Sequence, residues 1–255
     1  MPAVAGLFYP GDGERLLTTV KELLAEEAVP VVDVEPSIVI VPHAGYIYSG
    51  PVAAVAYRLL AARPVLPARV VLMGPAHRSH FAGVASAGAS GFQTPLGLVP
   101  ADEYVASETI THRKAHASEH SLEVQLPFLQ AILSDFSVSA LLTGRVRYET
   151  AADILEDWLD TTGGLVVISS DLSHYLDYES ARARDHRAAT AITELRPEDL
   201  EWNDACGLTA IQAALMVARR RGWHCRLVDL RNSGDTAGDR SRVVGYGAFA
   251  IGPLR

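Results

Sequence analysis

The chain has 255 residues, 49% hydrophobic and 20% charged, with a formal net charge of −8. This suits one globular domain over 1–255, and with no basic block longer than Arg219-Arg220-Arg221 it argues against nucleic acid as a partner. Two cysteines, Cys206 and Cys225, are too few for a disulfide framework; the opening residues lack a secretory pattern and no apolar run reaches membrane-spanning length, so a cytoplasmic protein with no membrane partner is expected.

In chain order, the first clear strand is the apolar run 38–41, which leads into Pro42-His43-Ala44-Gly45-Tyr46. Ser49 and Pro51 then open a helical segment whose Val52, Val55, Ala56, Leu59 and Leu60 share one face. A second strand, 70–73, ends in Gly74-Pro75-Ala76-His77, and the glycine-rich stretch 81–98 reads as a long loop or hairpin insertion. Leu122, Leu126, Leu129 and Leu133 predict a helix, followed by a strand at 138–142 and a helix carrying Ile154, Leu155, Trp158 and Leu159. A third strand, 165–168, runs into Ser169-Ser170-Asp171-Leu172-Ser173-His174. Leu208, Ile211, Leu215 and Met216 mark another helix, and strands follow at 226–230 and 243–251, the last Gly-rich and expected at a sheet edge. The alternation predicts an α/β domain with a central, mostly parallel sheet flanked by helices on both faces.

Three strands that each end in a histidine-bearing turn are the main chemical signal, because ligands in open α/β sheets gather at the carboxyl ends of strands. His43 and His77 are expected to converge there, as metal ligands or proton-transfer groups. Asp171 and His174 lie three apart, a spacing that puts both on one side of a helical first turn; Asp171 suits a metal ligand, a histidine-orienting group or a helix cap, and His174 a general acid or base. Helix capping explains Ser121 but not Glu119 and His120, so His120 reads as a group that orients ligands or faces substrate. Cys206 is expected just before or within the first turn of a helix, where the dipole favours thiolate. Cys225 reads as a core thiol, and His112, His116, His186 and His224 as ordinary surface or core histidines. The role of His80 stays open.

The motifs Pro42-His43-Ala44-Gly45-Tyr46, Gly74-Pro75-Ala76-His77, Glu119-His120-Ser121-Leu122-Glu123-Val124-Gln125-Leu126-Pro127-Phe128, Ser170-Asp171-Leu172-Ser173-His174-Tyr175 and Cys206-Gly207 resemble, in order and spacing, the Memo family. That group includes the microbial proteins labelled AmmeMemoRadiSam system protein B, and the resemblance runs from Ala5-Gly6-Leu7-Phe8-Tyr9-Pro10 to Gly245-Tyr246-Gly247. It implies a LigB-like fold, similar to extradiol dioxygenases whose non-haem iron is held by two histidines and a glutamate. Carried onto this chain, His43 and His77 take the histidine positions, Cys206 the carboxylate position, Asp171 a further ligand position and His174 that of the acid/base histidine. The resemblance also implies a functional link to a radical enzyme and an AMMECR1-like protein.

A thiolate in place of a carboxylate is softer and suits iron or copper redox chemistry, so dioxygenase activity is not inherited from the fold alone. Two classes of function therefore stand. One is a non-haem metal oxidoreductase, with Fe(II) favoured over Cu, acting on a small, aromatic substrate with O₂. The other is a binding or adaptor module that uses the cleft to recognise a peptide or small anion. A Cys206–His174–Asp171 hydrolase is a minor third, since no Gly-x-Ser-x-Gly elbow occurs.

Overall fold

Runs of β-branched residues with little polar content make strands that can be buried on both faces, and such runs supply the centre of this sheet. The computed structural model describes residues 2–26, 28–102 and 109–255. Its elements are α1 (Gly13–Ala25), β1 (Ile38–Val41), α2 (Tyr46–Ala61), β2 (Arg69–Pro75), β3 (Val84–Ser86), β4 (Gly91–Thr94), β5 (Gly97–Pro100), β6 (Thr109–Thr111), α3 (Arg113–Ala117) and, after a 3₁₀ turn at Glu123–Gln125, α4 (Leu126–Ile132). Then come β7 (Ser137–Thr143), α5 (Tyr148–Thr162), β8 (Leu165–Ser169), β9 (His174–Leu176), α6 (Tyr178–Thr193), α7 (Leu208–Arg220), β10 (His224–Asn232), α8 (Ser233–Thr236) and β11 (Val243–Gly252).

The strand order is β10-β11-β1-β8-β2-β7-β3-β6, with β9 paired to β11 and a separate β4-β5 hairpin. The four central strands β1, β8, β2 and β7 are parallel, whereas β11 and β3 pair antiparallel with β1 and β7. The sheet is thus mixed and mostly parallel, and its central strands are connected through helices.

Alternating side chains divide the core into two layers. Ile38, Ile40, Val71, Met73, Val166 and Ile168 pack under α5, α6 and α7, with fully buried Trp158 donating its Nε1–H to Ser139 Oγ at 3.2 Å. Val39, Val41, Val70, Leu72, Leu165 and Val167 face the opposite way, onto α1, α2 and α4. Strands β1, β2 and β8 therefore need apolar residues at both parities, which is why these runs are unbroken.

Four expectations are corrected. The strand 243–251 is not at an edge: β11 lies between β10 and β1, and β10 is the outer strand. The second helix begins at Tyr46 rather than at Ser49 or Pro51, leaving Pro51 inside it. The proline is tolerated because Ile47, four residues earlier, is exposed and water can take the freed carbonyl. The Leu122–Leu133 periodicity is split into a 3₁₀ turn and the short α4. Asp171 and His174 do not share a helical turn: residues 170–173 form no helix or strand, and His174 opens β9, whose pairing with β11 fixes it. None of the helices in the described residues is long and apolar enough to cross a membrane.

Candidate metal centre

Strands β1, β8 and β2 are adjacent and parallel, so their carboxyl ends emerge side by side. His43 follows β1, His77 follows β2, and the strand between them ends in the small side chain of Ser169. The two rings lean together over it, with centroids 5.1 Å apart at an interplanar angle of 84°. His120 arrives from the turn before α4 and completes the group, 5.3 Å from the His43 ring and 4.6 Å from the His77 ring. One ligand atom from each of His43, His77 and His120 lies within 4.8 Å of the others, close enough for the three to hold a metal ion.

The hydrogen bonds fix which nitrogens are free. Ser169 Oγ donates its proton to Ser121 O and accepts from Gln125 Nε2 at 2.8 Å, so its contact with His43 Nδ1 at 3.0 Å requires the ring to donate. Gln125 is itself held by the Tyr57 hydroxyl at 2.9 Å and by Pro42 O at 2.9 Å. His43 is fully buried, and that burial, with the neighbouring imidazoles His77 and His120, holds its pKa well below the usual histidine range. It is therefore a neutral ring that presents its Nε2 lone pair, toward Cys206 Sγ. His77 Nδ1 faces Glu119 Oε1 at 2.9 Å, and since a carboxylate only accepts, His77 likewise presents Nε2.

Glu119 organises the rest. Buried at 4% exposure, it accepts from the His77 amide at 2.6 Å and from the His120 and Ser121 amides at 3.0 Å each. Burial alone would raise its pKa, but the neighbouring His120 and His77 side chains and the Ser121 amide outweigh this and hold the carboxyl well below its ordinary range. His120 Nδ1 lies 3.2 Å from Glu119 Oε1 but not in hydrogen-bonding alignment, and among the described residues this buried nitrogen has no hydrogen-bond partner. Oriented imidazoles backed by a carboxylate, together with an orphaned ring nitrogen, fit a transition metal.

Cys206 approaches from the opposite wall, its Sγ 3.2 Å from His43 Nε2 and 3.6 Å from Asp171 O. It can do so because Gly207 follows it: a Cβ there would lie 2.7 Å from Ser170 Cβ, whereas the bare glycine lets its amide bond Ser170 Oγ at 2.8 Å. Gly207 is the N-cap of α7, which places Cys206 outside the helix. Its thiol is not activated as the sequence suggested; burial, and then the Asp171 charge, push it up to about 12.

Asp171 is buried, and its Oδ1 accepts the His43 amide at 2.7 Å, so it caps no helix and instead anchors the strand exit that carries His43. Desolvation raises its pKa against the pull of the His43 amide and the nearby imidazoles of His174, His120 and His77. His174 is exposed; its Nδ1 donates to Leu172 O at 2.8 Å, leaving Nε2 free.

Two other histidines have local roles. His112 caps α3 by accepting from Ala115 N, and His116 Nε2 bonds Ala85 O at 2.9 Å. Cys225 is buried as a core thiol. Sequence reading did not single out Ser169, Gln125 or Tyr57; their work depends on strands β1 and β8 lying together, which no local pattern announces.

The cluster opens at His77 onto a cleft of about 1170 Å³ that His80, Phe81, His174, Trp202 and Cys206 also line.

The family description "Memo-like protein" matches residues 1–250. Relatives described as MEMO1 family proteins include one from Aquifex aeolicus, 37% identical over 265 residues and covering 96% of each chain. Another, from Archaeoglobus fulgidus, is 36% identical over 266 residues and covers 98% of each. A third, from Ignicoccus hospitalis, is 36% identical over 276 residues, covering 97% of this chain and 96% of its own. With matches of this extent over nearly every element described above, the chain belongs to the Memo-like protein family.

Proposed function

We propose that this protein is a non-haem metal-dependent oxidoreductase, with Fe(II) the favoured ion and Cu the second, acting on a small, aromatic molecule together with O₂. The observation that carries this reading is the convergence of His43, His77 and His120, two of them with Nε2 lone pairs fixed by buried hydrogen bonds, at the head of a cleft that Cys206 and His174 also border. When bound, the metal would supply Lewis-acid activation of substrate oxygens and a redox couple.

His43 and His77 would hold the metal whichever group completes the set. His120 and Cys206 then contend for the remaining positions, because Sγ stands against His43 Nε2 while His120 lies on the side of His77. Glu119 orients His77 through its Nδ1–H and Asp171 holds the His43 backbone. His174, exposed in the cleft with Nε2 free, is placed to take a proton from a substrate hydroxyl and return it. The resemblance to extradiol dioxygenases supports the O₂-dependent version.

The test is anaerobic purification followed by metal analysis and Fe(II) or Cu titration of the wild type and of His43→Ala, His77→Ala, His120→Ala and Cys206→Ser, with O₂ uptake measured on the loaded protein. Loss of metal in the first two and a graded loss in one of the others is expected. A folded wild type that takes up neither metal overturns the reading in favour of a binding module.

A further inference from the structure

The chain is acidic overall, with a formal charge of −8, yet the cleft below the metal centre is lined by no aspartate or glutamate among the described residues. It is lined instead by Arg145, Arg184 and the imidazoles of His77, His80 and His174. The carboxylates behind this wall are buried and engaged: Glu119 with His77, Asp171 with the His43 amide, Asp204 with Arg187 at 2.8 Å.

Arg145 is the exposed cation of the set, and among the described residues its guanidinium has no hydrogen-bond or ion-pair partner. Its backbone is nonetheless fixed, accepting from the Gly83 amide at 3.1 Å and donating to Phe81 O at 2.8 Å, so the side chain projects from a rigid wall. Arg184 is only loosely held, by Asn203 O at 3.5 Å and Asp204 at 4.0 Å. Helix α7 adds to the field: its N-cap is Gly207, no side chain caps it, and its first residues Leu208 and Thr209 line the cleft, so the positive end of the helix dipole faces the cavity. Apolar surface is supplied by Phe81, Val146, Leu208 and the exposed ring of Trp202.

We propose that the cleft takes a small organic acid, its carboxylate held by Arg145 with support from Arg184 and the α7 N-terminus, and its apolar or aromatic body laid against the apolar lining that includes Phe81 and Trp202. This rests on the reading of the cleft as the substrate chamber of the metal centre, and names the charge of what enters it. A guanidinium with no partner among the described residues, set in a concave, half-apolar site, matches a carboxylate in geometry and charge.

The test is calorimetric titration of the protein, as purified and after chelation, with phenylacetate and with its neutral analogue phenylacetamide at low ionic strength. Phenylacetate is expected to bind at least tenfold tighter, Arg145→Gln to remove that preference, and Arg184→Gln to reduce it less, since charge-assisted hydrogen bonds carry effects of about that size. Phenylacetate should also slow alkylation of Cys206, with buried Cys225 as the unreactive reference. Equal affinity for the two compounds, no measurable binding of either, an unchanged preference in Arg145→Gln, or no protection of Cys206 overturns the proposal. Metal content of the same samples separates the two readings: retained metal without anion preference sinks this inference alone, and anion preference in a protein that never takes up metal sinks the oxidoreductase alone.

Discussion

Replacing Glu119 by glutamine changes one atom and tests whether a buried carboxylate organises the centre. Oε2 accepts the His77 amide, while Oε1 accepts His77 Nδ1–H and the His120 and Ser121 amides. The glutamine NH₂ therefore has no harmless position: at Oε1 it opposes three donors, and at Oε2 it opposes the His77 amide. The second is the better choice, leaving one buried donor unsatisfied at about 1–3 kcal/mol and removing charge assistance from three hydrogen bonds, for a total of roughly 2–4 kcal/mol. Metal affinity should fall about 10- to 100-fold, as for other losses of a ligand-orienting partner. The pH dependence has a definite sign. Because the folded carboxyl is held below its unfolded value of about 4.3, it stabilises the protein fully above that pH, and the stabilisation is lost as the pH falls through the folded value. Glu119→Gln should be less stable than wild type at pH 7 and should lose less on acidification to pH 3. Urea denaturation at both pH values, with metal titration at pH 7, measures all three effects. A variant within 0.5 kcal/mol of wild type at pH 7 (about the scatter of surface substitutions) and with unchanged metal affinity would show that the carboxylate does not organise the centre.

Ser169→Ala removes the acceptor that fixes His43 Nδ1–H and strands a Gln125 N–H; a loss of about 10- to 100-fold in metal affinity and about 1–3 kcal/mol in stability is expected, read by metal titration and urea denaturation. Gly245→Ala drives a Cβ into the Asp185 carboxylate, which also holds the Ser173 amide at 3.0 Å, so destabilisation of about 1–3 kcal/mol or more is expected by thermal or urea denaturation; an unchanged midpoint would show that Asp185 moves freely. His174→Ala should keep its metal and lose O₂-dependent turnover by about 10²- to 10⁴-fold; loss of metal would instead make His174 a ligand.

The central strands were legible from sequence because burial on both faces demands apolar runs; β1, β2 and β8 are unbroken ones, and β7 is interrupted only by Ser139, whose hydroxyl accepts the Trp158 Nε1–H. The turns holding His43, His77 and the 169–174 segment were visible for the same reason: they begin where those runs stop. Helix α6, with Ala181, Ala188, Ala189 and Ala191 on its buried side, was missed because alanine gives little contrast against a polar helix.

The amino-acid order thus carried a set of chemical groups at strand ends, since hydrophobic periodicity is local and survives translation into structure. The relations among those groups came from three-dimensional packing. The strand order puts Ser169 between His43 and His77, so one hydroxyl sets a tautomer across 126 residues. Glu119 reaches His77 across 42 residues and draws His120 into the same cluster. Cys206 lies just ahead of α7, as expected, but burial and the Asp171 charge reverse its expected acidity. Proton positions and pKa values depend on which groups lie within hydrogen-bonding reach through space, and a linear pattern does not carry that distance.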